Sequence, residues 1–328
     1  EMEQVMVDEW EIDVLRQRVT GLDMDARTVT TDAGDTYQFN KQVIDCSGPA
    51  MALAKLMGDV EEILPAHAIW SYYDIAEVDP VGGEELAAKM GRKFVAYNAS
   101  EARLMEGGLP EGWAPNATTT LTQIKKNMWL WQIPLFGGTR LSCGVVSRTG
   151  VVNEEEFDAL VEQHHLPCLT LKKRSRDGSG VYNRLHMRSN FAKRAKAAST
   201  ADFIMIADAF AFGDPIYSVG TGLAVNKAIQ VAKMLNDEGW SEAKSGWYNE
   251  QYERLITAAM EAFSYWYGLD LVSSDEAASG LQKAMLEGSV FGAQITEFDN
   301  SQLRCAVGDP ESEEHTHFPP DEIFSGDE

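Results

Sequence analysis

The chain has 328 residues, enough for two domains or one large elaborated one, and 44% of them are hydrophobic, an ordinary share for a globular core. Its 51 acidic residues against 28 Lys and Arg leave a net charge of −23, which sets nucleic acid and anionic membrane aside as partners because such a surface repels phosphates. No apolar run reaches the length of a membrane span and the first residues do not form a signal peptide, so the expected location is cytoplasmic.

In chain order, the segment from Glu1 to about Gly48 reads as strands and a hairpin. Arg27–Thr31 and Thr36–Phe39 flank the turn Asp32-Ala-Gly-Asp35, and Gln42–Asp45 is a short buried strand running into Cys46-Ser47-Gly48. From about Leu64 to Arg184 several alternating strands are expected, among them Ala68–Asp74 and Lys93–Tyr97. Asn153, with Glu156 three residues on, starts a helix.

Phe203–Ala207 is a continuous apolar run, as suits a strand covered on both faces of a parallel sheet. Leu223–Leu235 reads as a helix with a broad apolar face and a polar stripe of Asn226, Lys227, Gln230 and Lys233. A longer helix runs from Gly246 to Gly268, with Tyr248, Tyr252, Leu255, Ile256, Ala259, Phe263, Trp266 and Tyr267 at helical spacing on a core-packing face.

The four cysteines are scattered and unpaired in sequence, which favours buried thiols over disulfides or zinc. His315-Thr-His317 lies in an acidic tail that reads as solvated, and no metal site is expected.

Two constellations carry chemistry. The loop between Asp208 and the helix holds Asp214, Pro215, Gly220 and Gly222 at the C-terminal end of a strand, where ligands of open α/β sheets gather. The following helix offers unpaired N–H groups to that loop. An ordinary strand–helix connection would use the same residue types. In Trp129-Leu-Trp-Gln-Ile-Pro134, alternation puts Trp129, Trp131 and Ile133 on one face, and Pro134 ends or edges the strand. Gly137-Gly138 then turns the chain into a partner strand, Leu141–Val146. The two indoles fit either a core or an aromatic wall beside a planar ligand.

These residues resemble the flavin-dependent halogenases, a branch of the FAD-dependent monooxygenases. Trp129–Pro134 matches the family's Trp-x-Trp-x-Ile-Pro motif. Asp208, Asp214, Pro215, Ser218, Gly220, Leu223 and Ala224 match its second flavin-contacting motif with spacing intact, and Asp45–Gly48 is similar to its Asp-x-Ser-Gly segment. The resemblance runs from about Val5 to about Gly268.

Departures accompany it. The family's Gly-x-Gly-x-x-Gly phosphate loop and its catalytic lysine would lie upstream of Glu1, so no lysine in this chain takes the catalytic role. Ala207 stands where the family usually has Gly. Tyr217 replaces the Glu of tryptophan halogenases, and Val219 replaces a common Ser or Thr.

The resemblance implies an α/β fold: a partial Rossmann-like FAD-binding domain with an inserted antiparallel-sheet substrate domain and C-terminal helices. Residues 1–60 and 191–240 would form the FAD domain, 61–190 the substrate-side sheet, 241–300 the C-terminal helices and 301–328 the acidic tail. It implies FAD contacts at Ser47, Gly48, Asp208, Asp214, Pro215, Gly220 and Gly222, and halide held by the amides of Val219 and Gly220. Trp129, Trp131, Ile133 and Pro134 would separate flavin from substrate. Reduced FAD, supplied by a separate flavin reductase, would use O₂ to oxidise chloride or bromide, and the hypohalous product would reach a phenolic, pyrrolic or carrier-tethered aromatic. A companion chain carrying the N-terminal FAD segment is a further expected partner. A related FAD monooxygenase or reductase, or a non-catalytic subunit of the same fold, is the alternative.

Overall fold

A computed structural model of the chain describes residues 12–95, 97, 112–217, 220–236 and 239–268. The described elements run, in order, β1 (Val19–Asp23), β2 (Thr28–Thr31), β3 (Thr36–Gln38), β4 (Val43–Asp45), α1 (Ala52–Met57), β5 (Val60–Glu62), β6 (His67–Val78) and α2 (Pro80–Lys89). Then come β7 (Thr120–Lys125), β8 (Met128–Leu135), β9 (Arg140–Ser147), α3 (Glu154–His164), β10 (Leu169–Lys173), β11 (His186–Ser189) and β12 (Lys193–Ala195). β13 (Phe203–Met205), β14 (Ala211–Phe212), α4 (Gly220–Asn236) and α5 (Glu242–Gly268) complete them. The fold is mixed α/β in two compact units: residues to 61 with 193–258, and residues 62–192 with the end of α5 from 259.

The first unit is built around a parallel pair, β4 beside β13, with Val43 opposite Phe203 and Asp45 opposite Met205. All three residues of β13 are buried, as the apolar run requires, whereas Ile44 of β4 is exposed. The hairpin forms as read: β2 and β3 pair antiparallel, and β1 joins β2 on the other side. Gly34, at φ +86°, makes the turn, a conformation that a side chain resists.

α4 departs from expectation in two ways. It begins at Gly220 rather than Leu223, and Lys227 belongs to its buried stripe. Leu223, Lys227 and Val231, spaced four apart, face inward, while Val225 and Ile229 are exposed. The helix is rotated because α5 packs beside it: Tyr248 and Tyr252 lie in the same core as Leu223 and Val231.

The second unit is one antiparallel sheet in the order β10-β6-β9-β8-β7, with β11 also pairing to β6. One face buries Ile69 and Tyr73 of β6, Leu130 of β8 and Leu141, Cys143 and Val145 of β9 against Phe157 and Val161 of α3. α3 starts as the sequence reads it, with Asn153 Oδ1 accepting the Glu156 N–H at 2.9 Å. The β8–β7 ladder stops at Gln132, so Pro134, which has no N–H to give, lies past its end and the strand runs one residue further.

Lys93–Tyr97 does not form the expected ladder strand. Among its described residues it makes a single bridge, Phe94 to Trp113, and the Phe94 ring covers Gly83 of α2 so closely that a β-carbon there would overlap it. Its apolar alternation serves packing on a helix. α2 itself escaped the sequence reading because Gly82 and Gly83 argue against a helix. Asp79, capping the Val81 and Gly82 amides, and Pro80 at the first turn outweigh them.

Cys143 and Cys168 are buried free thiols, but Cys46 is exposed, because it leaves β4 at the strand's open end. Cys305, His315, His317 and the acidic tail lie outside the described residues. No helix among the described residues is long and apolar enough to cross a membrane.

Candidate functional site

The parallel register of β4 and β13 makes both strands end side by side, so the segments leaving them emerge at one edge. The turns Gly48–Ala50 and Ala207–Ala209 are in contact there. The β4 exit is organised by Asp45. Its buried carboxylate accepts the Ser47 N–H at 2.7 Å and the Leu53 N–H at 2.8 Å, and Ser47 Oγ accepts the Ala52 N–H at 2.9 Å. Gly48 follows at φ +59°. Ser47 and Gly48 are thereby fixed in backbone position, with Ser47 exposed.

The β13 exit is strained. Ala207 has φ +51°, a left-handed conformation that costs a β-carbon-bearing residue roughly 1 kcal/mol or more. The glycine usual at the matching family position meets no such cost. Beyond its own backbone bonds, two hydrogen bonds from neighbouring segments hold the turn: Ile206 N–H to the Asp45 carbonyl at 3.0 Å, and Ala207 N–H to Tyr252 Oη at 2.8 Å.

Asp208 then stands half-buried, and burial pushes its carboxyl above the usual carboxylate range. Gly220, the first residue of α4, lies against it: a β-carbon there would sit 3.8 Å from Asp208 Oδ1. Asp214 is 1% exposed, and its Oδ1 accepts the Ile216 N–H at 3.0 Å, shaping the turn that Pro215 opens. Ser47, Gly48, Asp208 and Gly220 thus come to one strand end, with Asp214 and Pro215 forming the approach to it and Gly222 in the first turn of α4. Ser218 and Val219 lie outside the described residues.

The chemistry of this edge is a carboxyl with raised pKa beside helix-start amides, suited to a polar, partly anionic ring system. A Gly-x-Gly-x-x-Gly phosphate loop does not occur in the sequence.

The second unit carries an aromatic face on the side of its sheet opposite the α3 core. Trp129 and Trp131 share that face as alternation requires, but they are not equivalent. Trp129 is 1% exposed and donates from Nε1 to Tyr267 Oη at 2.8 Å; Trp131 is half-buried and donates to Ser142 Oγ at 3.2 Å. Their centroids are 5.8 Å apart. Ile133 is exposed and Pro134 intermediate.

The sequence reading missed what surrounds them. Trp70 lies 6.2 Å from Trp131 and stacks on His186 at 5.0 Å with 10° between the planes. Gly144, opposite both tryptophans 70 and 131 in the ladders, is the reason the Trp131 indole can lie on bare backbone, since a β-carbon there would overlap it. Strand pairing decides these neighbours, and only the lone Gly between β-formers in Leu141–Val146 signals them.

A parallel strand end with a strained acidic turn lies in one unit and an aromatic antiparallel face in the other, and the fold as a whole is mixed α/β. The sequence model of the tryptophan halogenase family matches residues 104–270. The chain belongs to the flavin-dependent halogenase family.

A curated relative, the flavin-dependent halogenase armH5 of Armillaria mellea, is 28% identical over 149 residues, 40% of this chain and 28% of that protein. The chain therefore matches just over a quarter of that relative's length. Among solved structures, the flavin-dependent brominase Bmp2 aligns with a TM-score of 0.61 at 17% identity over 92% of this chain and 72% of its own. Xcc4156, a flavin-dependent halogenase from Xanthomonas campestris, aligns at 0.56 with 12% identity over 96% and 60%. A flavoprotein/dehydrogenase from Cytophaga hutchinsonii aligns at 0.54 with 15% identity over 93% and 66%. At these identities the structural likeness is one of fold.

Proposed function

We propose that the chain is the flavin-ring and substrate-side part of a halogenase that uses reduced FAD, O₂ and a halide on an electron-rich aromatic. The observation that carries this reading is the Ala207–Asp208 turn: a strained backbone at a parallel strand end, with its carboxyl against the first residue of α4. Asp208, Asp214, Pro215, Gly220 and Gly222, with Ser47 and Gly48, would hold the flavin ring, and the Gly220 and Val219 amides would hold the halide. When bound, FAD supplies the oxidising chemistry; the protein orients it and excludes water.

Asp208, whose carboxyl burial raises above its usual range, would hydrogen-bond to a polar group on the flavin ring. Trp129, Trp131, Ile133 and Pro134 would keep flavin and substrate apart. Tyr217, in place of a Glu, favours a phenolic, pyrrolic or carrier-tethered substrate over free tryptophan. The expected partners are a flavin reductase and a chain or segment bearing the phosphate loop. The FAD domain of a partial Rossmann type, interrupted by the sheet unit, and a cytoplasmic location complete the proposal.

Flavin fluorescence quenching tests it. The chain is expected to bind FAD, and Asp208→Ala to weaken binding about tenfold, the loss of one charge-assisted hydrogen bond. No binding, or equal binding by Asp208→Ala, rejects the assigned site. With the reductase and an N-terminal segment supplied, product formation that does not depend on bromide or chloride would move the chain to the monooxygenases.

A further inference from the structure

Lys227 lies two turns into α4 and is 3% exposed. Its Nζ donates to Gln230 Oε1 at 3.0 Å and stands 4.8 Å from the Tyr252 ring centroid and 5.6 Å from that of Tyr248. Among the described residues no carboxylate pairs with it. A buried ammonium held only by an amide oxygen and two ring faces costs stability, and a group kept at such a cost marks a functional neighbourhood.

The two rings lead directly to the strained turn. Tyr252 Oη accepts the Ala207 N–H, and Tyr248 Oη donates to the Met205 carbonyl at 3.1 Å. The two rings also meet edge-on, with centroids 5.0 Å apart. The pair thus grips the backbone on both sides of Ile206. Phe210 meets the Tyr252 ring edge-on at 4.8 Å.

We propose that Lys227 is a positioning residue: as a cation over the Tyr252 ring it fixes that ring, and through the Tyr252 hydroxyl it holds Ala207 left-handed and Asp208 in place. The proposal rests on the flavin reading only for what the turn is for. Burial lowers the Lys227 pKa to about 8, so the cation is lost within the pH range where a protein remains folded.

Tyr248, Tyr252, Cys46 and Asp208 are the shifted ionisable groups around the cluster. Burial raises Tyr252 to about 12 and pushes Tyr248 higher, and partial desolvation with the Asp45 charge raises the Cys46 thiol, which is exposed on its outer side. Burial also raises the Asp208 carboxyl.

The test is amide exchange of the Ala207 N–H in the whole chain, without flavin, from pH 6.5 to 9.5, expressed as protection relative to an unstructured peptide at each pH. Protection is expected to fall about tenfold across that range in the native chain and to stay level in Lys227→Arg. In Lys227→Met it is expected to be about tenfold lower already at pH 7, although that variant's melting temperature is not lowered. A filler role would give the opposite signature, because shedding a buried charge raises global stability and with it protection. A level native profile overturns the proposal even if no variant folds, and so does native-like protection in Lys227→Met. Failure to bind FAD with the expected exchange profile rejects the flavin reading alone.

Discussion

The two units bury charge in opposite ways. In the second, Arg176 is 10% exposed on its side chain and fully answered: it donates to Asp158 at 2.6 Å, to Glu154 at 2.6 Å and to Ser71 Oγ at 3.3 Å, above the Phe157 ring. Asp158 also accepts from Tyr73 at 2.9 Å. Burial would raise the Asp158 pKa, but hydrogen bonds from Arg176, Lys173 and Tyr73 outweigh it and hold the carboxylate below its usual range. In the first unit Lys227 has two rings and an amide oxygen, and burial wins. A satisfied network fastens β6 and α3 together and has no further work; an unanswered charge sits beside the turn assigned to the flavin.

Arg176→Met gives the sharpest contrast. It removes the guanidinium that joins Asp158, Glu154 and Ser71 and leaves Asp158 with Lys173 and Tyr73 alone, and denaturant unfolding should show a loss of about 2–3 kcal/mol. An effect under about 1 kcal/mol would make the cluster a solvated surface pair and dissolve the comparison.

Lys227→Met should move the other way. Lowering the amine from 10.5 to about 8 corresponds to about 3 kcal/mol of burial cost. The two ring faces return about 1–2 kcal/mol, so the variant should gain about 1–2 kcal/mol at pH 7. Because the folded pKa lies below the unfolded one, the unfolded chain binds more protons between about 8 and 10.5, and native stability should rise with pH across that window. The variant should lose that slope. An unchanged slope would mean that Lys227 finds a counter-charge.

Asn153→Ala is the calibrating case, a surface cap with no buried charge, and should cost about 1 kcal/mol.

The features legible in the sequence were local. The Asp32–Asp35 turn, the Asn153 cap and the Phe203–Met205 run each carry their signal within a few residues. Lys227 was misplaced because helical periodicity assumes a single neighbour, and the tyrosines that bury it arrive on a later helix. Lys93–Tyr97 was misread because an alternating pattern does not say whether a strand or a helix will cover it. The tryptophan motif gave a shared face but could not rank its two indoles, since the partner of Trp129, Tyr267, lies far along the chain. The residues proposed for the flavin rest on resemblance, and the strain at Ala207 appears only with its dihedral angle.

Gly144 has a consequence for reading relatives of this chain. The Trp131 indole lies flat only because position 144 contributes nothing beyond backbone. A relative bearing alanine there must turn its indole away or bend its sheet, even with both tryptophans of the motif intact. Whether two such proteins present the same surface to a planar molecule is therefore written in a residue that has no side chain at all.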